Sequence, residues 1–285
     1  MIPAAFEYHS PKTLEDALRL LERHGDEARV LAGGHSLLPL MKLRLAAPRY
    51  VIDLGRLRGM SYIREENGQI AIGALTTHAD VEASTLLRGR CPLLPETAAE
   101  IGDLQVRNRG TLGGSIAHAD PAGDWPATVI ALDAEIKIAG PNGERWVKCD
   151  EFFLGLLMSV LEPDEIVTAI KVPVTGADKT AYLKAAPRSS GFAVVGVAVH
   201  LTLDAAGTCS RAAVGITGVT DKAYRPDRLE QMLTGKKLDA VLIQQAAAEA
   251  CRNIEAIEDI NGSAEYRKQL TEVYVTRAIE AALKG

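Results

Sequence analysis

The stretch QVRNRGTLGGSIAHADPAGDWPA, residues 105–127, carries a glycine pair between hydroxyl residues: Thr111, Leu112, Gly113, Gly114, Ser115. Eighty positions upstream (113 − 33 = 80), Ala32-Gly33-Gly34-His35-Ser36 repeats the device. Glycine lacks a Cβ, so consecutive amides can turn toward one point and a ligand can approach the backbone closely. Two such loops in one domain could bracket a diphosphate, with the Ser36, Thr111 and Ser115 hydroxyls adding donors. The plainer reading makes both of them tight turns. Neither matches GxGxxG or GxxxxGK[ST], which disfavours a Rossmann dinucleotide site and a Walker loop.

The second motif runs on through His118, Asp120, Pro121, Gly123, Asp124, Trp125 and Pro126. One histidine and two aspartates within seven residues suggest a metal site only if a bent loop makes them converge. A carboxylate just beyond a glycine-rich phosphate loop more commonly binds ribose or ribityl hydroxyls, which fits Asp124. The same residue reads equally as a helix N-cap with proline at the start of the helix. His35, Ser36, Ser115, His118 and Asp120 also raise a nucleophilic hydrolase. No GxSxG elbow supports one, and adjacent His-Ser residues seldom face each other.

Outward from these motifs, the chain has 285 residues, 47% apolar and 24% charged, with a net charge of −5. A chain of this length buries roughly three quarters of its unfolded surface and exceeds one compact core, so disorder is excluded and two domains are expected. Its charges are dispersed, without the Lys/Arg cluster that nucleic acid requires. Cys91, Cys149, Cys209 and Cys251 lie far apart with no CxxC pair, which speaks against a disulfide framework or an iron–sulfur cradle. The opening MIPAAFEYHSPKT has no basic-then-apolar leader, and no window approaches the roughly 18 apolar residues of a membrane span. A cytoplasmic protein with reduced thiols is the expectation.

Thr13 before the stripe Leu14, Ala17, Leu18, Leu21, with Asp16 as capping-box partner and Gly25 as C-cap, predicts a helix. Short strands are expected at 28–32 and 50–54. Asn67-Gly68 and Asn142-Gly143 each predict a tight hairpin. Helices are expected near 80–87, 93–101 and 122–132, and a strand at 166–172 before Pro173. The run 173–178 reads as a linker. Beyond it, β-rich runs at 192–203 and 208–219 precede three helices, the last from about 263 to 283.

AGGHSLLPLMKLR (32–44), the 105–127 stretch and EPDEIVTAIKVP (162–173) together resemble the FAD-binding medium subunit of the molybdenum hydroxylases, the carbon monoxide dehydrogenase and xanthine dehydrogenase family. The resemblance extends over nearly the whole chain. It implies an α+β fold: a vanillyl-alcohol-oxidase-type (PCMH-type) FAD-binding domain over 1–175, with subdomains of about 1–55 and 56–175. A C-terminal domain over 179–285 would combine a three-stranded antiparallel sheet with a helical bundle.

By the same resemblance, residues 32–36 and 111–115 would wrap the FAD diphosphate with backbone amides. Asp124 would hold FAD hydroxyls, Ile101 would line the pocket, and Val167 would contact the flavin through its main chain. Lys184 would lie near the isoalloxazine, and Phe192 would take the place of an aromatic ring beside it. Partners would be a large molybdopterin subunit and a small subunit with two [2Fe–2S] clusters, in a dimer of heterotrimers. Electrons would leave to NAD+, a quinone or oxygen. Ser115 departs from the asparagine of many members. KAAPRSSGF (184–192) replaces a more basic segment of the carbon monoxide dehydrogenases, which makes carbon monoxide a doubtful substrate. The cysteine-rich insertion of some members is missing. Two other readings stay open: a stand-alone FAD oxidase or reductase of a small molecule, and an assembly subunit without flavin.

Overall fold

The computed structural model describes residues 2–187 and 190–285. Arg188 and Ser189, inside the departing segment 184–192, lie outside the described residues.

The N-terminal segment up to Asp53 holds a three-stranded parallel sheet in the order β1 (Glu7–His9), β3 (Tyr50–Asp53), β2 (Ala28–Leu31). Helix α1 (Leu14–His24) connects β1 to β2. It begins where Thr13 Oγ1 accepts the Asp16 amide at 3.1 Å and ends at Gly25, φ 49°. Its apolar stripe buries Ala17 and Leu21. A short helix α2 (Leu37–Lys42) follows the first glycine motif.

The second sheet is antiparallel, with order β4 (Ile63–Glu66), β5 (Gln69–Gly73), β10 (Ile166–Pro173), β6 (Glu135–Gly140), β7 (Gly143–Lys148). The first hairpin turns on Asn67 and Gly68, both at positive φ (52° and 75°), as a tight two-residue loop requires. At the second, Gly140 pairs with Gly143, so Pro141-Asn142 make the turn and Gly143, φ 107°, opens the returning strand. Pro141 presets its own φ near −65°, which moves the turn one residue back from the expected Asn-Gly.

Between β5 and β6 the chain is helical: α3 (His78–Ala83), α4 (Thr85–Arg90), α5 (Leu93–Glu100), α6 (Leu104–Arg107), α7 (Leu112–His118) and α8 (Asp124–Ala131). After β7 come α9 (Cys149–Phe152) and a small hairpin, β8 (Phe153–Gly155) with β9 (Met158–Ser159). Both sheets and these helices share one hydrophobic core, including Leu21, Ile52, Ile72, Leu112, Trp125 and Ile170.

Beyond Pro173 the chain forms β11 (Lys179–Ala185), β12 (Val195–Leu203) and β13 (Thr208–Thr217), antiparallel in that order. After α10 (Asp227–Leu233), β14 (Lys236–Lys237) adds a two-residue edge strand to β13. The sheet therefore has four strands rather than three; two lysines pairing with Thr208 and Cys209 leave no periodicity to read. The second strand starts at Val195, three residues later than the β-rich run suggested, which leaves Phe192 in an exposed bend. Helices α11 (Ala240–Ala247) and α12 (Ala264–Lys284) cover the sheet over a separate core containing Val197, Val214, Ile216, Leu229, Ile243 and Ile279.

The two cores meet at α8. A Cβ on Gly215 of β13 would lie 1.9 Å from the Ala127 carbonyl oxygen, so helix backbone rests directly on strand backbone there. The Gly218 amide donates to Pro121 O at 2.6 Å, and Thr217 Oγ1 lies 2.5 Å from the same oxygen. Tyr182 and Ala198, on C-terminal strands, pack into the N-terminal core.

Candidate functional site

Both glycine motifs open onto one cleft of about 790 Å³. Ala32, Gly33, Gly34, His35 and Ser36 of the first motif and Thr111, Gly113, Gly114 and Ser115 of the second line it, and the motifs touch where a Gly114 Cβ would lie 3.6 Å from Ala32 Cβ. Ile101, Asp124, Val167 and Phe192 line the remainder. Leu112 and Lys184 do not: Leu112 is fully buried in the core, and the Lys184 side chain lies behind the wall.

The two motifs are built differently. The first is a turn between β2 and α2, and among the described residues the amides of Gly33, Gly34, His35 and Ser36 have no protein acceptor. The second, expected as a loop, is the first turn of α7. Its amides are already engaged: Leu112 to Thr76 O, Gly113 to Ala74 O, Gly114 to Thr111 Oγ1 and Ser115 to Thr111 O, at 2.9 to 3.1 Å. Expected amide donation to a diphosphate is therefore available from the first motif and not from residues 112–115 of the second. The second presents hydroxyls, those of Thr111 and Ser115.

The glycines likewise divide. A Cβ on Gly33 would lie 2.1 Å from Arg109 O, and one on Gly113 would lie 2.4 Å from Ala74 Cβ, so these two let segments pack. Gly34 requires its φ of +78°. A Cβ on Gly114 would meet Thr111 Oγ1 at 2.7 Å and face Ala32 Cβ at 3.6 Å, between the two motifs. Unclaimed amides with close backbone approach, hydroxyls and an apolar end make a cleft that fits an elongated ligand with an anionic bridge and a ring.

The apolar end owes its shape to a β-bulge. Val167 pairs with Ile138 and Ala169 with Lys137, leaving Thr168 extra; its carbonyl accepts the Ala74 amide at 3.0 Å. The bulge turns Val167 to the cleft beside Ile101, while Phe192, 54% exposed, stands at the rim.

Asp124 is not an N-cap. Gly123 holds that position, and Pro126 is the third helical residue rather than the first. Asp124 Oδ1 instead accepts from Tyr182 Oη at 2.6 Å and from Lys184 Nζ at 2.9 Å, both on β11. Lys184 Nζ also donates to Gly191 O at 2.6 Å, next to Phe192. Burial raises the Asp124 carboxyl above its ordinary value, and Lys184 and Tyr182 act against that rise. Asp124 thus joins cleft wall to C-terminal sheet. If the cleft holds the flavin that the family resemblance implies, Asp124→Ala should weaken its retention by about 1 to 3 kcal/mol, measured by fluorescence titration of the apoprotein.

Among the described residues no group of three His, Cys, Asp or Glu side chains could hold a metal. His118 Nε2 and Asp120 Oδ2 stay 4.0 Å apart, and Asp124 turns to Lys184. His35 Nδ1 sits 3.1 Å from Gly33 O, in no triad with Ser36. All four cysteines are free and buried, and burial pushes the Cys91 thiol up to about 11.

One residue of the wall escaped the sequence: His78, 4% exposed, whose Nδ1 accepts the Trp125 indole N–H at 3.1 Å. A lone histidine after the capping threonine Thr77 carries no sequence signal. Burial first, then the nearby His35 and Arg107 charges, push it down to about 4. The unfolded chain takes up this proton near pH 6.5 and the folded protein only near 4, so stability falls as pH drops through that window. The full difference is roughly 3 kcal/mol. The stability gap between wild type and His78→Phe should narrow over that window in denaturant titrations.

Comparison with known proteins places this geometry. Residues 4–175 match the family described as FAD binding domain in molybdopterin dehydrogenase, and residues 180–282 match the CO dehydrogenase flavoprotein C-terminal domain. The carbon monoxide dehydrogenase medium chain of Hydrogenophaga pseudoflava is 42% identical over 99% of this chain and 98% of its own length. Subunit alpha of the 6-hydroxypseudooxynicotine dehydrogenase complex of Paenarthrobacter nicotinovorans is 37% identical, covering 99% and 96%. A solved carbon monoxide dehydrogenase from Hydrogenophaga pseudoflava, lacking the Mo-pyranopterin moiety of its molybdenum cofactor, superposes with a TM-score of 0.97 at 43% identity over 100% of this chain and 99% of that one. With the two family models together matching nearly the whole chain and both glycine motifs inside the first of them, the chain belongs to the FAD-binding medium-subunit family of the molybdenum hydroxylases, oxidoreductase complexes of which carbon monoxide dehydrogenase is one.

Proposed function

We propose that this chain binds FAD in the cleft and relays electrons within a three-subunit hydroxylase. The observation that carries the reading is the row of unclaimed amides at Gly33 to Ser36, lining the same cleft as Thr111 and Ser115 with their hydroxyls. A diphosphate there would receive several N–H dipoles without desolvating an unpaired charge. Ala32 and Gly114 leave it room, and Gly113 with the buried Leu112 holds α7 in place. Asp124 would bind ribityl or ribose hydroxyls. Ile101, the Val167 main chain and Phe192 would surround the ring. Lys184 would act on the isoalloxazine region from behind, through Asp124 and the Gly191 carbonyl.

FAD, when bound, supplies the conversion between single-electron arrival and two-electron departure. The chain's own groups bind it, orient it and shield it from water; no side chain need act as acid, base or nucleophile toward the organic substrate. That substrate would be oxidised at a molybdopterin centre on a large partner. Electrons would reach this chain through two [2Fe–2S] clusters on a small partner, in a dimer of heterotrimers, and leave to NAD+, a quinone or oxygen. Relatives named for carbon monoxide and for 6-hydroxypseudooxynicotine share this subunit type, which supports substrate choice on a partner.

The domain reading that accompanies this is a PCMH-type FAD domain over 1–175, in subdomains of about 1–55 and 56–175, and a C-terminal domain over 179–285. Among the described residues no helix is long and apolar enough to cross a membrane, and with free cysteines this is compatible with the cytoplasm. Gel filtration of the full chain mixed with FAD tests the proposal. Flavin absorbance should travel with the protein, and the chain alone should turn over no organic substrate. Protein emerging colourless would overturn it; turnover by the isolated chain would favour a stand-alone oxidase.

A further inference from the structure

We infer that His78 is a ligand of the bound cofactor's diphosphate, a neutral hydrogen-bond donor whose tautomer is set by Trp125. The inference rests on the FAD reading above and adds a residue to it. His78 belongs to neither glycine motif, yet its ring lies where they converge. A Cβ on Gly110, the residue before Thr111, would meet His78 Nε2 at 2.7 Å, and the Gly110 carbonyl accepts the His78 amide at 3.0 Å. His35 of the first motif lines the same cleft.

The protonation state follows from the partner at Nδ1. An indole N–H can only donate. With Trp125 Nε1 donating to Nδ1 at 3.1 Å, that nitrogen must be the acceptor, and the ring proton of a neutral imidazole must sit on Nε2. Protonating Nδ1 would set two N–H groups against each other inside the core, where Trp125 is fully buried. Three positive or proton-bearing groups surround the ring: His35 from the turn, Arg107 from α6 and Trp125 from α8. None favours a second proton, which agrees with a ring that stays neutral down to about pH 4.

Nε2–H is left without work inside the protein. Among the described residues it has no hydrogen-bond partner and is not sealed from solvent, and His78 lines the cleft. A side chain 4% exposed that lines a cavity and keeps one donor unpaired calls for a partner from outside the protein. The acceptor that fits is an anionic oxygen held between the unclaimed amides of Gly33 to Ser36 and the Thr111 hydroxyl. A neutral donor strengthens that grip without adding a second buried cation beside Arg107.

The test uses the full chain, stripped of flavin and titrated with FAD. Nitrogen NMR of the histidine-labelled wild type should show His78 with Nε2 protonated and Nδ1 bare, and the Nε2 resonance should move when FAD is added. His78→Phe keeps a ring in the space but no donor. Its FAD dissociation constant should rise about 10- to 100-fold, the usual effect of losing a hydrogen bond to a charged group. The phosphorus resonances of FAD bound to this variant should shift, and His78→Gln, which can restore a donor, should recover part of the affinity. A His78 signal indifferent to FAD in wild type overturns the inference even if the variants fail to fold. So does equal affinity in folded His78→Phe. If wild type binds no FAD at all, the failure is that of the FAD reading instead.

Discussion

Gly114→Val is expected to purify as a folded protein without flavin colour. A Cβ at this position already comes within 2.7 Å of Thr111 Oγ1 and 3.6 Å of Ala32 Cβ, and the two methyl groups of valine extend beyond it into the gap between the motifs. The β-branched side chain is stiff, so it cannot swing clear. Helix α7 itself should persist, because valine is no worse a helix former than glycine. The fold should lose only part of the Thr111 cap, about 1 kcal/mol. FAD affinity should fall at least about 100-fold, since a diphosphate cannot share the space of the branches. Circular dichroism with flavin absorbance on the same sample separates the two effects: an unchanged spectrum with full yellow colour would reject the cleft as the FAD site.

Arg267→Ala should lower the stability of the fold by about 2 to 5 kcal/mol, most of it from two stranded carbonyls, since Asp259 is 42% exposed. Arg267 is on α12 and is 2% exposed. Its Nη1 donates to Val194 O at 2.8 Å and to Gly218 O at 2.5 Å, and its Nη2 donates to Asp259 Oδ1 at 2.5 Å. Truncation strands two carbonyls and removes the partner of a carboxylate. Each stranded buried group carries its own desolvation penalty. The effect should reach the cofactor domain, because the Gly218 amide is bonded to Pro121 O just ahead of α8 and Asp124. Arg267→Lys should recover only a fraction, since an ammonium cannot span the fork of a guanidinium. A denaturant midpoint unchanged in Arg267→Ala would show the three bonds to be incidental.

Local signals were legible wherever a few neighbouring residues decide the outcome. Thr13, Asp16 and Gly25 delimit α1, and Asn67-Gly68 makes its hairpin, because a cap or a two-residue turn is settled by hydroxyl, carboxylate and φ preferences within one turn. The glycine motifs and Asp124 likewise stand out by residue type and spacing alone. What α7 does was not legible: Gly113 and Gly114 are poor helix formers, and the helix exists because Thr111 caps it and Leu112 and Ile116 bury in the core. Asp124 read as a cap for the same reason, its partners Tyr182 and Lys184 being some sixty residues away across the linker (182 − 124 = 58; 184 − 124 = 60).

The sequence alone determined the capped start and end of α1, the Asn67-Gly68 hairpin and the two paired-glycine motifs, since backbone freedom, capping and apolar period are properties of adjacent residues. Tertiary structure decided which donors are free. Amides at 33–36 stay available while those at 112–115 are consumed by Ala74, Thr76 and Thr111, and the His78 tautomer is dictated by an indole 47 residues distant. Hydrogen-bond availability depends on what packs alongside, and no local pattern of residue types records it.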